Sequence, residues 1–171
     1  MKIQKLAAFC SLLSLSLFFA PILRAESPAG EYVKHLGALT KLSIQVAEAM
    51  PESQYSYKPH PDSMTFGELM SHIATTNFQF CAGLADANAT QLPLPTDKQG
   101  IVQFLTDSFG YCAKIIPATT ESSLTATHNS PDGRLSGWEV LLAMFVHTAH
   151  HRGQAEIYLR NNGIRPPSYM I

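Results

Sequence analysis

Apolar residues recur with the period of an α-helix in four long segments, and this repetition limits the folds open to the chain more than any other feature. The first segment follows Ser27-Pro28, which fits an N-cap and a proline in the first helical position, and it ends at Pro51. Strand signals are scarce by comparison. Because helices of similar length bury their apolar stripes most readily against one another, the pattern predicts an all-α four-helix bundle.

Capping motifs mark the starts of the other three helices. Thr65-Phe66-Gly67-Glu68 fits a capping box, in which the hydroxyl and the carboxylate each satisfy a backbone N–H group. Ser136-Gly137-Trp138-Glu139 repeats the motif at the start of the last helix. Thr96-Asp97-Lys98-Gln99 has glutamine in the fourth place, so Thr96 is the predicted N-cap of the third helix, which Pro117 ends.

Turn-forming residues separate the helices. Prolines in residues 54–63 indicate an extended connection, and residues 88–96 are a second loop, rich in small residues and proline. Pro131-Asp132-Gly133 predicts a turn in the polar segment before the last helix. Gly163 fits the end of that helix, because glycine readily takes the left-handed conformation found there.

The first 25 residues have the pattern of a signal peptide. Lys2 and Lys5 give a basic start, and residues 6–20 are an apolar run of 15 residues. An uncleaved membrane anchor is the alternative, but a membrane span needs roughly 20 apolar residues. We therefore expect residues 1–25 to be removed on export to the periplasm or the medium. Residues 26–171 are then expected to form one bundle domain with no membrane association.

The charge balance argues against nucleic acid as a partner. Three of the 12 basic residues lie in residues 1–25, so nine basic residues face 13 acidic ones in the remainder, a net charge of −4. Binding to a phosphate backbone needs clustered lysine and arginine. The composition also excludes a disordered chain, since 46% of the residues are hydrophobic.

Two cysteines, Cys81 and Cys112, remain after the signal segment. Outside the cytoplasm two thiols can oxidise to a disulfide. Buried thiols on different helices are an equally good interpretation, because free cysteine is among the most buried residue types. The sequence leaves both interpretations open.

The last helix carries a histidine pair with the spacing of metal ligands. His147 and His151 are four residues apart, so they lie one above the other on a helical face that Gln154 and Tyr158 continue. Two imidazoles so placed can bind one ion, as they do on two-histidine zinc helices. His150 lies about 100° away from that face. It is interpreted as a bystander or as a group that supports a ligand.

A third histidine, His72, lies in the second helix beside an apolar stripe, where it can point into the same core. The last helix is interpreted as the most apolar of the four, which turns its histidine pair inward. Buried histidines need hydrogen bonds or an ion, because burying a polar group without a partner costs free energy. The remaining histidines outside the pair's helix, His35, His60 and His128, lack such a setting and are predicted to lie on the surface.

Several motifs together resemble the DinB-like superfamily over nearly all of the mature chain. The central one is the H-x-x-x-H-R-G-Q pattern that runs from His147 to Gln154. The other matching stretches are Tyr57-Lys58-Pro59, Met64-Thr65-Phe66-Gly67-Glu68-Leu69, His72-Ile73-Ala74, Ile157-Tyr158-Leu159-Arg160 and Gly163-Ile164-Arg165-Pro166-Pro167. The combination is specific, whereas neither the lone histidine nor the pair is specific by itself.

The resemblance implies a four-helix bundle with up-down-down-up connectivity, often dimeric, so a homodimer is expected. It also implies one divalent ion, usually zinc or nickel, bound by one histidine of the second helix and two of the last. His72, His147 and His151 match those positions. Known members of the superfamily include thiol-dependent S-transferases and a thiol-dependent maleylpyruvate isomerase. The transferases use thiols of the cytoplasm, and the signal segment of this chain departs from that setting.

Three neutral imidazoles leave at least one coordination position open, as in catalytic rather than structural zinc sites. We therefore expect a metal-dependent hydrolase or thiol S-transferase that acts on a small molecule, which the sequence does not identify. The alternative is a non-catalytic bundle that binds a metal or a ligand. Glu68 is interpreted as the capping-box acid or as a catalytic base. Gln154 and Tyr158 either contact a substrate or orient a metal ligand.

Overall fold

The computed structural model describes residues 29–88 and 93–169, so the predicted signal segment, residues 1–25, lies outside the described residues. The described elements, in chain order, are α1 (Gly30–Ala49), α2 (Phe66–Leu84), α3 (Lys98–Ile115), α4 (Glu121–Thr125), β1 (Thr127–Ser130), β2 (Gly133–Ser136) and α5 (Gly137–Asn161). Short 3-10 helices follow α1 and α3, at Glu52–Gln54 and Ile116–Ala118. The four long helices pack around one apolar core, which confirms the predicted all-α four-helix bundle.

Contacts between α2 and α3 show that these two helices run parallel. The amide of Asn77 donates to the hydroxyl of Ser108 (3.2 Å), and one turn further along both helices Cys81 is bonded to Cys112. Residue numbers therefore rise together along the pair. A parallel pair needs a long connection, which residues 85–97 provide.

The helices α1 and α5 run opposite to that parallel pair. Tyr158, near the end of α5, donates its hydroxyl to the carbonyl of Met64 just before α2 (2.9 Å). Lys98, the first residue of α3, donates its ammonium group to the carbonyl of Met50 directly after α1 (2.8 Å). Each contact joins the end of one helix to the start of another, so the connectivity is up-down-down-up, as the resemblance implies.

Both predicted capping boxes are present. The backbone N–H of Glu68 donates to the hydroxyl of Thr65 at 3.1 Å, and the N–H of Thr65 donates to the carboxylate of Glu68 at 2.7 Å. Ser136 and Glu139 form the same reciprocal pair at the start of α5. The sequence predicts these motifs correctly because their hydrogen bonds join residues only three positions apart.

The predicted start of α3 at Thr96 is wrong by one residue. Asp97 is the N-cap, and its carboxylate accepts from the N–H of Gly100 at 2.9 Å. Both residue types cap helices, but a carboxylate also interacts favourably with the helix dipole, so the chain enters the helix one residue later. The first helix begins at Gly30 without a capping side chain, and the predicted N-cap Ser27 lies outside the described residues.

The interpretation of the last helix as the most apolar is wrong. α2 buries 13 of its 19 residues, whereas α5 buries 8 of its 25, because neighbouring elements cover α2 on more sides. One side of α5 lies open and leaves Leu142, Val146 and Ile157 more than half exposed. The histidine pair consequently lies at the edge of the bundle rather than deep in its core. Among the described helices, none combines the length and apolar character that a membrane span requires.

The polar segment before α5 forms the short α4 and an antiparallel hairpin of β1 and β2, which the sequence does not predict. The predicted turn is confirmed, since Ser130 pairs with Gly133, whose φ of 102° suits glycine. The hairpin packs so closely on the end of α2 that Gly83 has no room for a Cβ against the carbonyl of Asn129. Strands of four mostly polar residues alternate too weakly in hydrophobicity to be recognised.

Cys81 and Cys112 form a disulfide between α2 and α3, with their Cα atoms 5.5 Å apart. Both residues are buried in the core. The structure therefore decides between the two interpretations that the sequence left open. The parallel packing of α2 and α3 brings the two sulfurs together across a sequence separation of 31 residues.

Candidate metal centre

Three histidines from two helices converge at one edge of the bundle. This histidine cluster consists of His72 on α2 with His147 and His151 on α5, and its ring centroids lie between 4.4 and 4.9 Å apart. One ligand nitrogen from each lies within 4.8 Å of the other two, and the Nε2 atoms of His72 and His147 are 3.0 Å apart. Nitrogens that share a tetrahedral zinc ion stand about 3.4 Å apart, given Zn–N distances of about 2.0–2.1 Å. The donor set and its spacing therefore fit one divalent ion.

Helix geometry and helix packing each account for part of the cluster. His147 and His151 are one helical turn apart and share a face of α5. The antiparallel packing of α5 against α2 brings His72 opposite that face. All three side chains are half-buried. The predicted meeting of His72 with the pair is observed, and the binding of an ion by these residues stays a prediction.

Thr76 determines which nitrogen of His147 faces the cluster. The hydroxyl of Thr76 donates its one hydrogen to the backbone carbonyl of His72 at 2.8 Å. Its oxygen therefore accepts from the Nδ1–H of His147 at 3.2 Å, and a neutral His147 keeps its lone pair on Nε2. Sequence reasoning missed Thr76, although its position four residues after His72 on the same face of α2 was a usable signal.

Gln154 has the corresponding role for His151. Its side-chain carbonyl accepts from the Nδ1–H of His151 at 2.8 Å, which leaves the Nε2 lone pair of that ring available. Metal-binding histidines usually donate their second N–H to such a partner. The amide nitrogen of Gln154 lies 3.1 Å from Nε2 of the exposed His150. Of the two predicted roles of Gln154, the geometry matches the orientation of a ligand.

The surroundings of the cluster keep its histidines neutral, which is the form that binds a metal. Burial, together with the neighbouring imidazoles, lowers the pKa of His147 to about 4. Burial and the nearby His151 also lower the pKa of His72. Burial lowers the pKa of His151 against the opposing effect of the hydrogen bond from Gln154. At neutral pH the cluster therefore presents uncharged imidazoles to an ion.

A groove opens beside His72 and extends towards the start of α3. Its volume of about 740 Å³ lies within the range of small-molecule sites, about 300–1,000 Å³. Glu68 lies one helical turn before His72 and lines the same groove, as does Glu52. Apolar surface in the groove comes from Tyr55, Leu94, Pro95 and Ile101.

Glu68 combines an observed structural role with a predicted chemical one. Its carboxylate accepts from the backbone N–H of Thr65, which is the capping-box interpretation. The hydrogen bonds to Thr65 lower the pKa of Glu68, so the carboxylate is ionised at neutral pH. Its place beside His72 in the groove is compatible with a base, and that role stays a prediction.

The sequence profile of the DinB superfamily matches residues 35–155, a range that includes the whole histidine cluster. The chain belongs to the DinB superfamily. Among relatives of this DinB-superfamily chain is YjoA of Bacillus subtilis strain 168, a protein described as uncharacterized. The two are 27% identical over 143 residues, which cover 79% of this chain and 91% of YjoA.

Crystal structures of DinB-like proteins share the fold of this DinB-superfamily chain. YjoA from Bacillus subtilis is 25% identical with a TM-score of 0.71, over 82% of this chain and 98% of YjoA. A DinB-like protein from Bacillus cereus is 18% identical with a TM-score of 0.70, over 81% and 95% of the two chains. YfiT from Bacillus subtilis, described as a probable metal-dependent hydrolase with an unusual four-helix bundle topology, is 16% identical with a TM-score of 0.62, over 78% and 87%. The last two likenesses show the fold alone.

Tyr158 has a structural role in this DinB-superfamily bundle. It is buried, and its hydroxyl donates to the carbonyl of Met64 at 2.9 Å. Its ring also meets that of Tyr57 edge-on, with the centroids 6.1 Å apart. Because its hydroxyl hydrogen is used on the backbone, Tyr158 positions the segment that leads into α2 rather than a histidine of the cluster.

The prediction that His128 lies on the surface of this DinB-superfamily bundle is wrong. His128 is 3% exposed, with Nδ1 2.9 Å from the carboxylate of Asp86 and Nε2 2.7 Å from the carbonyl of Ser123. Both partners are acceptors, so both ring nitrogens carry a hydrogen and the ring is charged. Asp86 lies 42 residues away in the sequence, so no local pattern reveals the pair. His60 is exposed as predicted, whereas His35 is half-buried.

Proposed function

We propose that this chain binds one divalent ion, zinc or nickel, through His72, His147 and His151 and acts as a metal-dependent hydrolase of a small molecule. The observation that carries the proposal is the convergence of three neutral imidazoles beside a groove of about 740 Å³. Three histidine ligands leave a coordination position for a substrate, as in catalytic zinc sites. A divalent ion, when bound, supplies Lewis acidity that polarises a carbonyl or ester group.

Glu68 is the proposed base of the reaction. It lines the groove with His72, and its ionised carboxylate accepts a proton from an attacking water. Its hydrogen bonds to Thr65 restrict its orientation at the start of α2. The apolar residues of the groove provide a surface for the uncharged part of a substrate.

A thiol S-transferase is the second candidate. Glu52 and Glu68 give the groove negative charge, which repels an anionic thiol and favours the hydrolase. The structural likeness to YfiT, described as a probable metal-dependent hydrolase, supports the same choice. A non-catalytic bundle is less consistent with a groove that opens beside His72, since an ion that only stabilises a fold is typically enclosed by protein ligands.

The test is a comparison of metal-loaded and metal-free protein on ester, amide and thiol-conjugation substrates. We expect hydrolysis that depends on the ion and is lost in Glu68→Ala. Thr65→Ala is the matched control, because it removes a capping residue of the same helix and keeps the carboxylate. Equal activity with and without the ion, or no activity on any substrate class, would favour the non-catalytic alternative.

We also propose that the chain is exported and loses residues 1–25. The basic start and the apolar run support export, and so does the disulfide, because stable disulfides are typical of proteins outside the cytoplasm. Intact-mass measurement of protein from the cell envelope checks this. A full-length mass in that fraction would instead support the membrane-anchor alternative.

We propose further that a homodimer forms through the open side of α5. Trp138, Leu142 and Val146 lie one helical turn apart and are 42–62% exposed, beside an apolar cleft of about 390 Å³ that Phe145 also lines. Contiguous apolar surface of this kind marks interaction sites. Sedimentation should give a two-chain mass for the wild type and a one-chain mass for Leu142→Glu, with Leu94→Glu as the control. A monomeric wild type would contradict the proposal.

A further inference from the structure

Gln154 lies between two histidines and bonds each through a different end of its amide. Its carbonyl oxygen Oε1 is 2.8 Å from Nδ1 of His151, and its nitrogen Nε2 is 3.1 Å from Nε2 of His150. An amide oxygen only accepts hydrogen bonds and an amide nitrogen only donates them. The orientation of this one amide is therefore linked to the positions of protons on both rings.

The position of one proton decides whether His151 can bind an ion through Nε2. A neutral imidazole has one N–H, and the carbonyl of Gln154 holds that hydrogen on Nδ1. If the amide turned by half a rotation, its NH₂ group would face Nδ1 of His151. The proton of His151 would then move to Nε2, and the lone pair directed at the cluster would be lost.

His150 opposes that rotation. Its Nε2 accepts from the amide nitrogen of Gln154, and a turned amide would instead present its oxygen to this nitrogen lone pair. His150 is exposed and does not belong to the three histidines whose ligand nitrogens converge. Its contact with the metal centre therefore passes through Gln154.

We infer that His150 is a positioning residue of the metal centre, which keeps the amide of Gln154 oriented so that His151 presents Nε2 to the ion. The inference rests on the proposed metal site. It makes His150 a hydrogen-bond acceptor rather than a ligand, and it distinguishes the roles of the adjacent histidines His150 and His151.

His147 provides an internal control for this inference. Its Nδ1–H is held by the hydroxyl of Thr76, whose own hydrogen is used on the carbonyl of His72. That hydroxyl has no second orientation that would accept the opposite proton position on His147. Changes at His150 should therefore alter the tautomer of His151 and leave that of His147 unchanged.

Two variants separate hydrogen bonding from ring packing at His150. His150→Phe keeps an aromatic ring against His151, whose centroid is 5.0 Å from that of His150, but it removes the acceptor. His150→Gln removes the ring and restores an acceptor of similar reach. A positioning role predicts a defect in the phenylalanine variant and rescue by glutamine, whereas a packing role predicts the reverse order.

Nitrogen NMR of isotope-labelled histidine in the metal-free protein gives the first readout, at about pH 8 where free imidazole is neutral. We expect His151 to carry its proton on Nδ1 in the wild type and in His150→Gln, and to show a mixture of tautomers in His150→Phe. Zinc titration gives the second readout. Partners outside the ligand shell change affinity by about 10- to 100-fold, and we expect about three- to tenfold weaker binding in His150→Phe, one step further out, with one ion per chain retained.

An unchanged His151 tautomer in His150→Phe would overturn the inference, and so would equal zinc affinity in His150→Phe and the wild type. Failure of the wild type to bind zinc or nickel would overturn the proposed function instead. The tautomer measurement distinguishes these failures, because it is made without metal.

Discussion

The histidine cluster and His128 place the same side chain in opposite electrostatic environments. In the cluster, burial and neighbouring imidazoles act in the same direction, and the pKa of His147 falls to about 4. His128 is more deeply buried, and burial alone would lower its pKa as well. Hydrogen bonds to the carbonyl of Ser123 and the carboxylate of Asp86 outweigh that effect and raise the pKa of His128 above its usual value.

The comparison shows that the partners of the two ring nitrogens, and not burial, decide what a histidine does here. His128 has an acceptor at each nitrogen, so it stays charged and holds the hairpin against the end of α2. His147 and His151 each have an acceptor at Nδ1 only, so a lone pair remains at Nε2. The first arrangement stabilises a fold, and the second prepares a ligand.

Replacing a histidine of the cluster should have the largest effect. Alanine at position 72, 147 or 151 should weaken zinc binding at least about 100-fold, because two imidazoles remain and the pocket gains no substitute ligand. Elemental analysis after dialysis and zinc titration measure this. His128→Ala is the matched control and should keep one ion per folded chain. Full metal content in all three cluster variants would remove the distinction between the two regions.

Loss of the disulfide should weaken both regions together, since Cys81 and Cys112 join the two helices between them. Replacing both cysteines by alanine should lower the free energy of unfolding by about 2 to 4 kcal/mol, because the unfolded chain gains freedom. Urea unfolding measures the change. A reductant should reproduce it in the wild type and have no effect on the variant. Two reactive thiols per chain in oxidised, denatured wild type would contradict the pairing.

Removing the imidazole of His128 should destabilise the fold of the metal-free protein. His128→Ala leaves Asp86 and the carbonyl of Ser123 without their partner, and such a loss costs about 1 to 3 kcal/mol. Urea unfolding checks this against His60→Ala, which changes an exposed histidine and should have no measurable effect. Equal stability of the two variants would mean that the hairpin is held by its other contacts.

The pH dependence of stability should have opposite signs in the two regions, and this is the smallest effect. The pKa of His147 is lower in the folded state, so the unfolded chain binds protons first and stability falls from about pH 6.5 down to about pH 4. The pKa of His128 is higher in the folded state, so its contribution is present below about pH 6.5 and disappears as the pH rises through that raised value.

Unfolding of metal-free protein across this pH range separates the two contributions. His147→Ala should lose less stability on acidification than the wild type, and His128→Ala should lack the part that is favoured by low pH. Identical pH profiles for the wild type and both variants would show that neither histidine is linked to folding in this way.

The features that the sequence alone determines depend on neighbours within about four residues. The capping boxes at Thr65 and Ser136 are correct because each is complete within three positions of the chain. The shared face of His147 and His151 follows from one turn of helix. The error at Asp97 has the same origin, since two adjacent residues can cap α3 and local rules hardly separate them.

Tertiary structure decides the features whose partners are far apart in the chain. Thr76 meets His147 across 71 residues and Asp86 meets His128 across 42, so the proton positions on these rings depend on helix packing. Packing also decides that Cys81 reaches Cys112 and that one side of α5 stays open. A histidine in a sequence can therefore be assigned to a helical face, but its charge and its role depend on atoms that only the folded chain brings to its two nitrogens.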